Sequence, residues 1–209
     1  MTAEHRRPVT QPTSSFDWII GSDDAGASHR LAQETSWALL DRVRSVADHE
    51  VVERVVALAA GNGIDDIAEL WSDAGSHSLA GQLWRIYLLR RIVESDPPGT
   101  AELFRAGLAA AQTIDPVVAG VAEPIAPDSI AALCETILRG VFTGDLAVAL
   151  ERASSYCRVM SLGAAAIADE RDAVDDEHAA ELTTRALRYS SFANDLRAGA
   201  RRWRDGTLA

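Results

Sequence analysis

The sequence contains no lysine, and all twenty of its permanently basic side chains are arginines. The absence of lysine excludes Schiff-base catalysis, a lysine anchor for pyridoxal phosphate and the phosphate-binding lysine of P-loop proteins. Arginine carries the positive charge instead, and its planar guanidinium is suited to ion pairs and to anionic groups. A coding bias toward Ala, Gly, Arg and Asp accounts for this composition, so the absence of lysine does not by itself indicate a function.

The sequence also contains only two cysteines and no long apolar run. The two cysteines, Cys134 and Cys157, fall inside helical apolar patterns, which predicts buried thiols in a reducing cytoplasm rather than a disulfide scaffold. No apolar run approaches the ~18 residues of a spanning helix, so we predict no membrane segment. Residues 1–15 lack the apolar segment of a signal peptide, and we expect a cytoplasmic protein.

Net positive charge is also absent, since the formal charge is −11. An acidic surface argues against nonspecific binding to DNA or to anionic membranes, which requires a basic footprint. A hydrophobic content of 47% and a length of 209 residues are typical of one globular domain with a substantial core. We therefore expect an acidic globular protein for which nucleic acid is an improbable partner.

The pattern of apolar residues predicts an N-terminal tail followed by helices. Residues 1–27 are predicted to be a mobile tail, in which an apolar patch at Phe16, Trp18, Ile19 and Ile20 docks onto the body. Residues 28–209 are predicted to form a single all-α domain of roughly eight helices. Its first helix begins at the N-cap Ser28, and a second covers residues 51–60 and ends at Gly61.

Residues 79–94 are apolar around the whole helical circumference, which predicts a central buried helix with Trp84 and Leu88 largely buried. The segment from Asp96 to Gly99 is a strong helix stop. Thr100 and Asp128 are predicted to cap the two helices that follow.

The last quarter of the chain contains two apolar seams of equal length. Both repeat at alternating intervals of three and four residues, as follows: Leu146, Ala149, Ala153, Tyr156, Met160, Gly163 and Ile167; and Leu182, Ala186, Tyr189, Ala193, Leu196, Ala200 and Trp203. This spacing predicts an antiparallel helical hairpin, 146–167 against 182–203, with coiled-coil-like packing.

Two groups of arginines are candidate binding residues. Three lie on the central helix beside aromatic side chains, where they could form a cavity for an anionic ligand: Arg85, Arg90 and Arg91, with Trp84 and Tyr87. Alternatively, they pair with carboxylates, as Arg90 and Glu94 could at i,i+4.

The second group, Arg197, Arg201 and Arg204, forms a stripe on the last helix and is a candidate surface for an acidic partner. Its simpler interpretation is that cations favour a helix C-terminus, with Arg204 directed toward Asp145 and Arg197 toward Glu151.

No catalytic constellation is recognisable, and we expect no cofactor and no metal. The acidic stretch from Asp169 to Glu181, with His178 inside it, fits carboxylates that favour the start of a helix better than it fits a metal site. The leading hypothesis is a non-enzymatic, acidic, cytoplasmic interaction or regulatory module that self-associates as a homodimer. The alternatives are an all-α small-molecule-binding protein or enzyme with an arginine and aromatic cavity, and nucleic-acid binding through the basic last helix.

Overall fold

The computed structural model describes residues 25–46, 54, 65–112, 114–120 and 126–209. Within these ranges the chain is all-α, as predicted, with eight helices and no strand. None of these helices combines the length and apolarity that crossing a membrane requires. The helices are α1 (Ala25–Val46), α2 (Asp65–Leu70), α3 (Leu79–Ser95), α4 (Pro97–Ala110), α5 (Asp115–Ala119), α6 (Pro127–Thr143), α7 (Leu146–Arg171) and α8 (Asp176–Arg204).

The first helix begins earlier than the sequence pattern indicates. It starts at Ala25, inside the segment predicted as tail, so Ser28 lies within the first turn and is not the residue that precedes the helix. The rest of the predicted tail, including the apolar patch at 16–20, lies outside the described residues. The same holds for the predicted helix 51–60, apart from Arg54.

Two other helices begin at a proline rather than at the predicted cap. The helix α4 starts at Pro97, and the Asp96 carboxylate accepts a hydrogen bond from the Gly99 N–H at 3.0 Å. Thr100, predicted as the cap, is buried inside the first turn. The helix α6 likewise starts at Pro127, so Asp128 lies in its first turn. Proline suits the first helical position because its fixed φ is already helical and it has no N–H to leave unpaired.

The short helix α5 lies in the stretch from Asp115 to Pro127, which its prolines predict to be an irregular connector. It is held against α7 by Asp115, which is buried and pairs with the Arg158 guanidinium. Ser155 Oγ also donates to the Asp115 carboxylate at 3.2 Å. This contact between residues forty positions apart stabilises a helix too short to persist alone.

The helix α3 is central, in that it packs against α1, α4, α6 and α8. Its first five residues are all buried, and Ile86, Leu89 and Val93 continue the buried face. Trp84 and Leu88 are only half-buried, so the prediction that they are largely buried is met in part. Apolar residues on every side of a helix indicate burial, but Trp84 and Leu88 keep part of their surface exposed.

The predicted hairpin is formed by α7 and α8, which share the most extensive helix–helix interface among the described residues. Two serine hydroxyls of α7 donate across it to backbone carbonyls of α8. Ser154 Oγ lies 2.7 Å from the Ala193 carbonyl oxygen, and Ser161 Oγ lies 2.8 Å from that of Ala186. Ser161 lies seven residues after Ser154 in α7, and its acceptor Ala186 lies seven residues before Ala193 in α8. The two helices are therefore antiparallel.

Some residues of the predicted α7 seam contact α4 as well as α8. Tyr156 stacks on Phe104 of α4 with ring centroids 5.5 Å apart. A Cβ added to Gly163 would lie 1.8 Å from the Leu103 carbonyl oxygen, and one added to Gly107 would lie 1.9 Å from that of Val159. The backbones of α4 and α7 therefore touch at these two glycines, where no side chain fits.

The C-terminal end of the chain contacts the start of α3. The Leu79 N–H donates to the Ala209 carbonyl at 2.7 Å, and the Ala209 N–H donates to the His77 carbonyl at 3.3 Å. Leu208 is buried beside them. These bonds pair an N–H group that the first turn of α3 would otherwise leave unsatisfied.

Candidate functional site

A groove of about 500 Å³ lies between the last turn of α3 and the first half of α8. It contains apolar, hydroxyl and ionic side chains together. Its lining residues are Ile92 and Ser95 of α3, and Glu181, Thr184, Arg185, Arg188, Tyr189 and Phe192 of α8. This volume and mixture are typical of a site for a small molecule.

The groove exists because contact between α3 and α8 changes along their length. At one end, a Cβ added to Gly199 would lie 2.3 Å from Gln82 Cδ, so the helices are in close contact there. Further along, the Arg85 side chain spans the space and contacts Asp195. At the other end, around Ile92 and Tyr189, side chains of the two helices line the groove.

The side chains of α8 that line the groove share one face of the helix. Glu181, Arg185, Arg188 and Phe192 follow at intervals of four, three and four residues, which places them on one stripe. The start of α8 is held by Asp175, whose carboxylate accepts a hydrogen bond from the His178 N–H at 3.2 Å. The stripe is thus presented by a capped and regular helix.

The two arginines of the groove differ in exposure. Arg185 is half-buried, with its guanidinium carbon 5.9 Å from the centroid of the Tyr189 ring, within the range of a cation–π contact. Arg188 is exposed. Among the residues that the structure describes, no carboxylate forms an ion pair with either arginine.

The hydroxyls of Tyr156 and Tyr189 are both buried, and that of Tyr156 has no hydrogen-bond partner within the described part of the chain. Burial raises the pKa of both phenols, and in Tyr189 the charge of the Arg185 guanidinium and a hydrogen bond with it oppose that rise. Both hydroxyls are therefore protonated at neutral pH and available as donors. Tyr189 lines the groove.

The cysteines are free and buried, as predicted. Burial raises the pKa of Cys134 to about 12 and raises that of Cys157 as well. A thiol is nucleophilic as its thiolate, so neither cysteine is activated at neutral pH.

A smaller groove of about 270 Å³ lies on the opposite side of α3, against α6. Three carboxylates line it, those of Glu94, Asp128 and Glu135. Two of them are already engaged, since Glu94 pairs with Arg90 and Glu135 pairs with Arg139. The two grooves that flank the end of α3 therefore differ in the sign of the charge available to a ligand.

The structure does not bring together the predicted binding residues of α3. Arg85 is directed at α8, where its Nε and Nη2 contact Asp195 Oδ2 at 3.0 and 2.7 Å. Arg90 Nε donates to Glu94 Oε1 at 2.7 Å, as the i,i+4 alternative predicts. Arg91 is exposed, with Nη1 3.6 Å from Glu94 Oε2.

The two aromatic residues of that prediction stack on each other. The rings of Trp84 and Tyr87 have centroids 5.5 Å apart. Tyr87 and Arg90 line a small apolar cavity of about 20 Å³ between α1, α3 and α6. A cavity of this size has room for about one water molecule, and the role of these five residues in ligand binding stays a prediction.

The C-terminal arginines are arranged nearly as the simpler interpretation expects. Arg204 Nη1 lies 2.6 Å from Glu151 Oε1, so Arg204 pairs with Glu151 rather than with Asp145. The hydrogen bond from Arg204 lowers the pKa of Glu151, and the charges of Arg204 and Arg197 lower it further. Arg197 and Arg201 are exposed, and their role in binding a partner stays a prediction.

No group of three or more potential metal ligands occurs among the residues that the structure describes. In the acidic stretch, His178 Nδ1 lies 3.7 Å from Glu181 Oε2, and Asp176 and Glu177 lie in the first turn of α8. Carboxylates at that position stabilise the helix through its dipole.

The sequence pattern predicts other roles for the groove residues. Tyr189 belongs to the predicted hairpin seam, and Arg185 and Arg188 lie upstream of the arginine stripe on the basic last helix. The signal in the sequence is a second stripe beside the seam, in which two arginines are followed by Phe192. That the stripe faces Ile92 and Ser95, some ninety residues away, could not be read from spacing.

Comparisons with protein-family models, with curated proteins and with solved structures find no significant match to this chain.

Proposed function

We propose that this protein binds a small amphipathic molecule in the groove between α3 and α8. The observation that carries the proposal is the groove itself, which has a volume of about 500 Å³ and brings the apolar side chains of Ile92 and Phe192 together with two arginines. A concave site of this size, with apolar walls and a few polar groups, is typical of small-molecule binding.

The apolar part of the ligand would lie on Ile92, Phe192 and the Tyr189 ring. Ile92 and Phe192 are half-buried, so a ligand that covers them removes further apolar surface from water, which stabilises the complex by about 25 cal/mol per Å². Ser95 and Thr184 at the rim add hydroxyls that can bind polar substituents.

A neutral hydrophobic dye, Nile red, tests the groove without involving charge. We expect saturable binding to the native protein, measured by fluorescence titration, with a dissociation constant that Phe192→Ala raises roughly tenfold, equal to about 1.4 kcal/mol of binding free energy. The matched control is Leu187→Ala, which removes an apolar side chain that is 68% exposed on the same helix and outside the groove lining. Thermal melts of each variant show that the dye reports on folded protein. Equal weakening by both variants, or no saturable binding at all, would contradict the proposal.

A second candidate is the self-associating module that the composition suggests. Its support is a pair of exposed apolar residues at the α5 segment, Ile114 and Val117, with 74% and 81% of their surface accessible. Neighbouring exposed apolar residues are typical of contact surfaces. Light scattering at micromolar concentration should give twice the chain mass of 22.4 kDa, and Ile114→Ser with Val117→Ser should restore the monomer, whereas Leu187→Ser should not. A wild-type mass of one chain would exclude the dimer.

A further inference from the structure

We infer that the ligand of the α3–α8 groove carries a single anionic group, a carboxylate or its sulfonate or phosphate equivalent, and that this group binds between Arg185 and Arg188. The inference rests on the proposed function and specifies its ligand class. Two guanidiniums and one carboxylate, that of Glu181, line the groove. The groove is thus locally cationic on a chain whose formal charge is −11.

The state of the other arginines supports this assignment. Arg85, Arg158 and Arg204 each form an ion pair with a carboxylate of another helix. Arg185 is half-buried, and within the described residues it contacts Tyr189, which carries no formal charge. Partial burial removes water from a guanidinium and strengthens its attraction to an anion. Exposed arginines such as Arg201 keep their water, so the combination of concavity and burial distinguishes Arg185.

The positions of Arg185 and Arg188 allow both to reach the same group. Residues three apart on a helix have Cβ atoms about 5–6 Å apart, and each guanidinium presents a planar set of donors that matches carboxylate or phosphate oxygens. Phe192 lies one turn further along the stripe, where the apolar part of the ligand would be placed. The anion would then lie at the Arg185 end of the groove.

Glu181 limits the ligand to one negative group. It lies one turn before Arg185 on the same stripe, and its side chain is 73% exposed beside His178. A second anionic group extending in that direction would meet a like charge, which is unfavourable. A strand of nucleic acid, with a phosphate at every nucleotide, fits this arrangement poorly.

The test compares two probes of the same shape and different charge, 2-naphthoate and 2-naphthamide, as competitors of Nile red. We expect naphthoate to bind at least tenfold more tightly than naphthamide, and this preference to shrink as salt is added. Arg188→Gln and Arg185→Gln should each weaken naphthoate about tenfold and leave naphthamide unchanged. The matched control is Arg201→Gln, an exposed arginine of the same helix outside the groove lining.

The outcomes separate the inference from the function on which it rests. If the two probes displace Nile red equally, or if the glutamine variants weaken both alike, the anionic assignment is wrong while the groove remains a binding site. If Nile red itself fails to bind in a manner that depends on Phe192, the proposed function fails first. Melting curves identify any variant whose effect comes from unfolding, and Arg188, which is exposed, is the variant least affected by that problem.

Discussion

The helix α7 is packed in two different ways on its two principal faces. Toward α4, the backbones touch at Gly107 and Gly163, and the Cβ that either glycine lacks would lie less than 2 Å from a carbonyl oxygen. Toward α8, side chains fill the interface, and Ser154 and Ser161 hydroxyls bond to backbone carbonyls. One interface therefore includes direct backbone contact at two glycines, and the other is built from side chains.

This difference distinguishes the rigid pair α4 and α7 from α8, which carries most of the residues that line the groove. The α4–α7 contact has one possible distance, because close-packed backbones cannot approach further and lose their contacts if they separate. The helix α8 is positioned by individual side-chain contacts, among them Arg85 with Asp195 and Glu151 with Arg204. Because these contacts are local, α8 lies in close contact with α3 at Gly199 and borders the groove near Phe192.

The largest expected effect comes from a side chain added at the backbone contact. Gly163→Ala should lower the free energy of unfolding by about 3 kcal/mol, because the new methyl group overlaps the Leu103 carbonyl and forces the helices apart. Gly140→Ala is the control, since its Cβ would lie 3.6 Å from the Ala149 Cβ, and it should raise stability by up to about 1 kcal/mol through helix propensity. Denaturant melts measure both, and similar effects at the two positions would refute the backbone contact.

Overpacking the hairpin should cost less, because its side chains can shift. Ala153→Leu and Ala193→Leu each place a large residue where less than 2% of the alanine is exposed, and each should lose about 1–3 kcal/mol. Ala180→Leu, exposed on α8, is the control and should be nearly neutral. Wild-type stability in both buried variants would show that the seams do not face each other.

The serine bonds should contribute less again. Ser154→Ala and Ser161→Ala each remove a hydrogen bond to a carbonyl that α8 already engages, so each should cost about 1 kcal/mol. The hydroxyl of Ser154 also accepts a bond from Arg158 Nη1 at 2.7 Å, which should make its loss the larger of the two. Ser190→Ala, exposed on α8, controls for helix propensity. No loss in either variant would mean that side-chain packing alone holds the hairpin.

The ion pair at the open end of the hairpin should matter least. Arg204 lowers the pKa of Glu151, so the stabilisation is present above the ordinary pKa of a glutamate and is lost as the pH falls through the lowered value. Both side chains are exposed, with 45% and 41% of their surface accessible, and solvent screens the pair. Glu151→Gln should slightly flatten the acid side of a pH–stability curve and leave neutral pH almost unchanged. A large loss at pH 7 would show that the pair is structurally essential.

Periodicity was a sufficient guide where a helix has one dominant neighbour. The hairpin of α7 and α8 follows from two seams of equal length, because a repeat of three and four residues keeps one stripe facing one partner. It was less informative for α3 and α7, where Trp84 is half-buried and Gly163 faces α4. A helix that contacts several neighbours is apolar on most sides, and its sequence does not say which side meets which helix.

Ends of helices were harder to predict than their existence. Thr100 and Asp128 resemble caps in isolation, yet a proline three residues and one residue earlier, respectively, begins each helix. The short helix α5 had no pattern of its own, because its stability comes from the pairing of Asp115 with Arg158. Carboxylate pairing was the alternative prediction for the arginines of α3. Glu94 is close enough in sequence to be foreseen as the partner of Arg90, whereas Asp195 could not be foreseen as the partner of Arg85.

What the sequence determined by itself is local: an all-α chain, its principal helices, the antiparallel hairpin and two buried thiols. Each follows from the spacing of apolar residues along one segment, which sets the face that a helix must bury. Only the tertiary structure decided that α4 and α7 meet at glycines, that Arg85 is engaged by Asp195, and that Arg185 and Arg188 border a groove with Ile92. These depend on pairs of residues far apart in the chain, and their proximity results from the packing of the whole core.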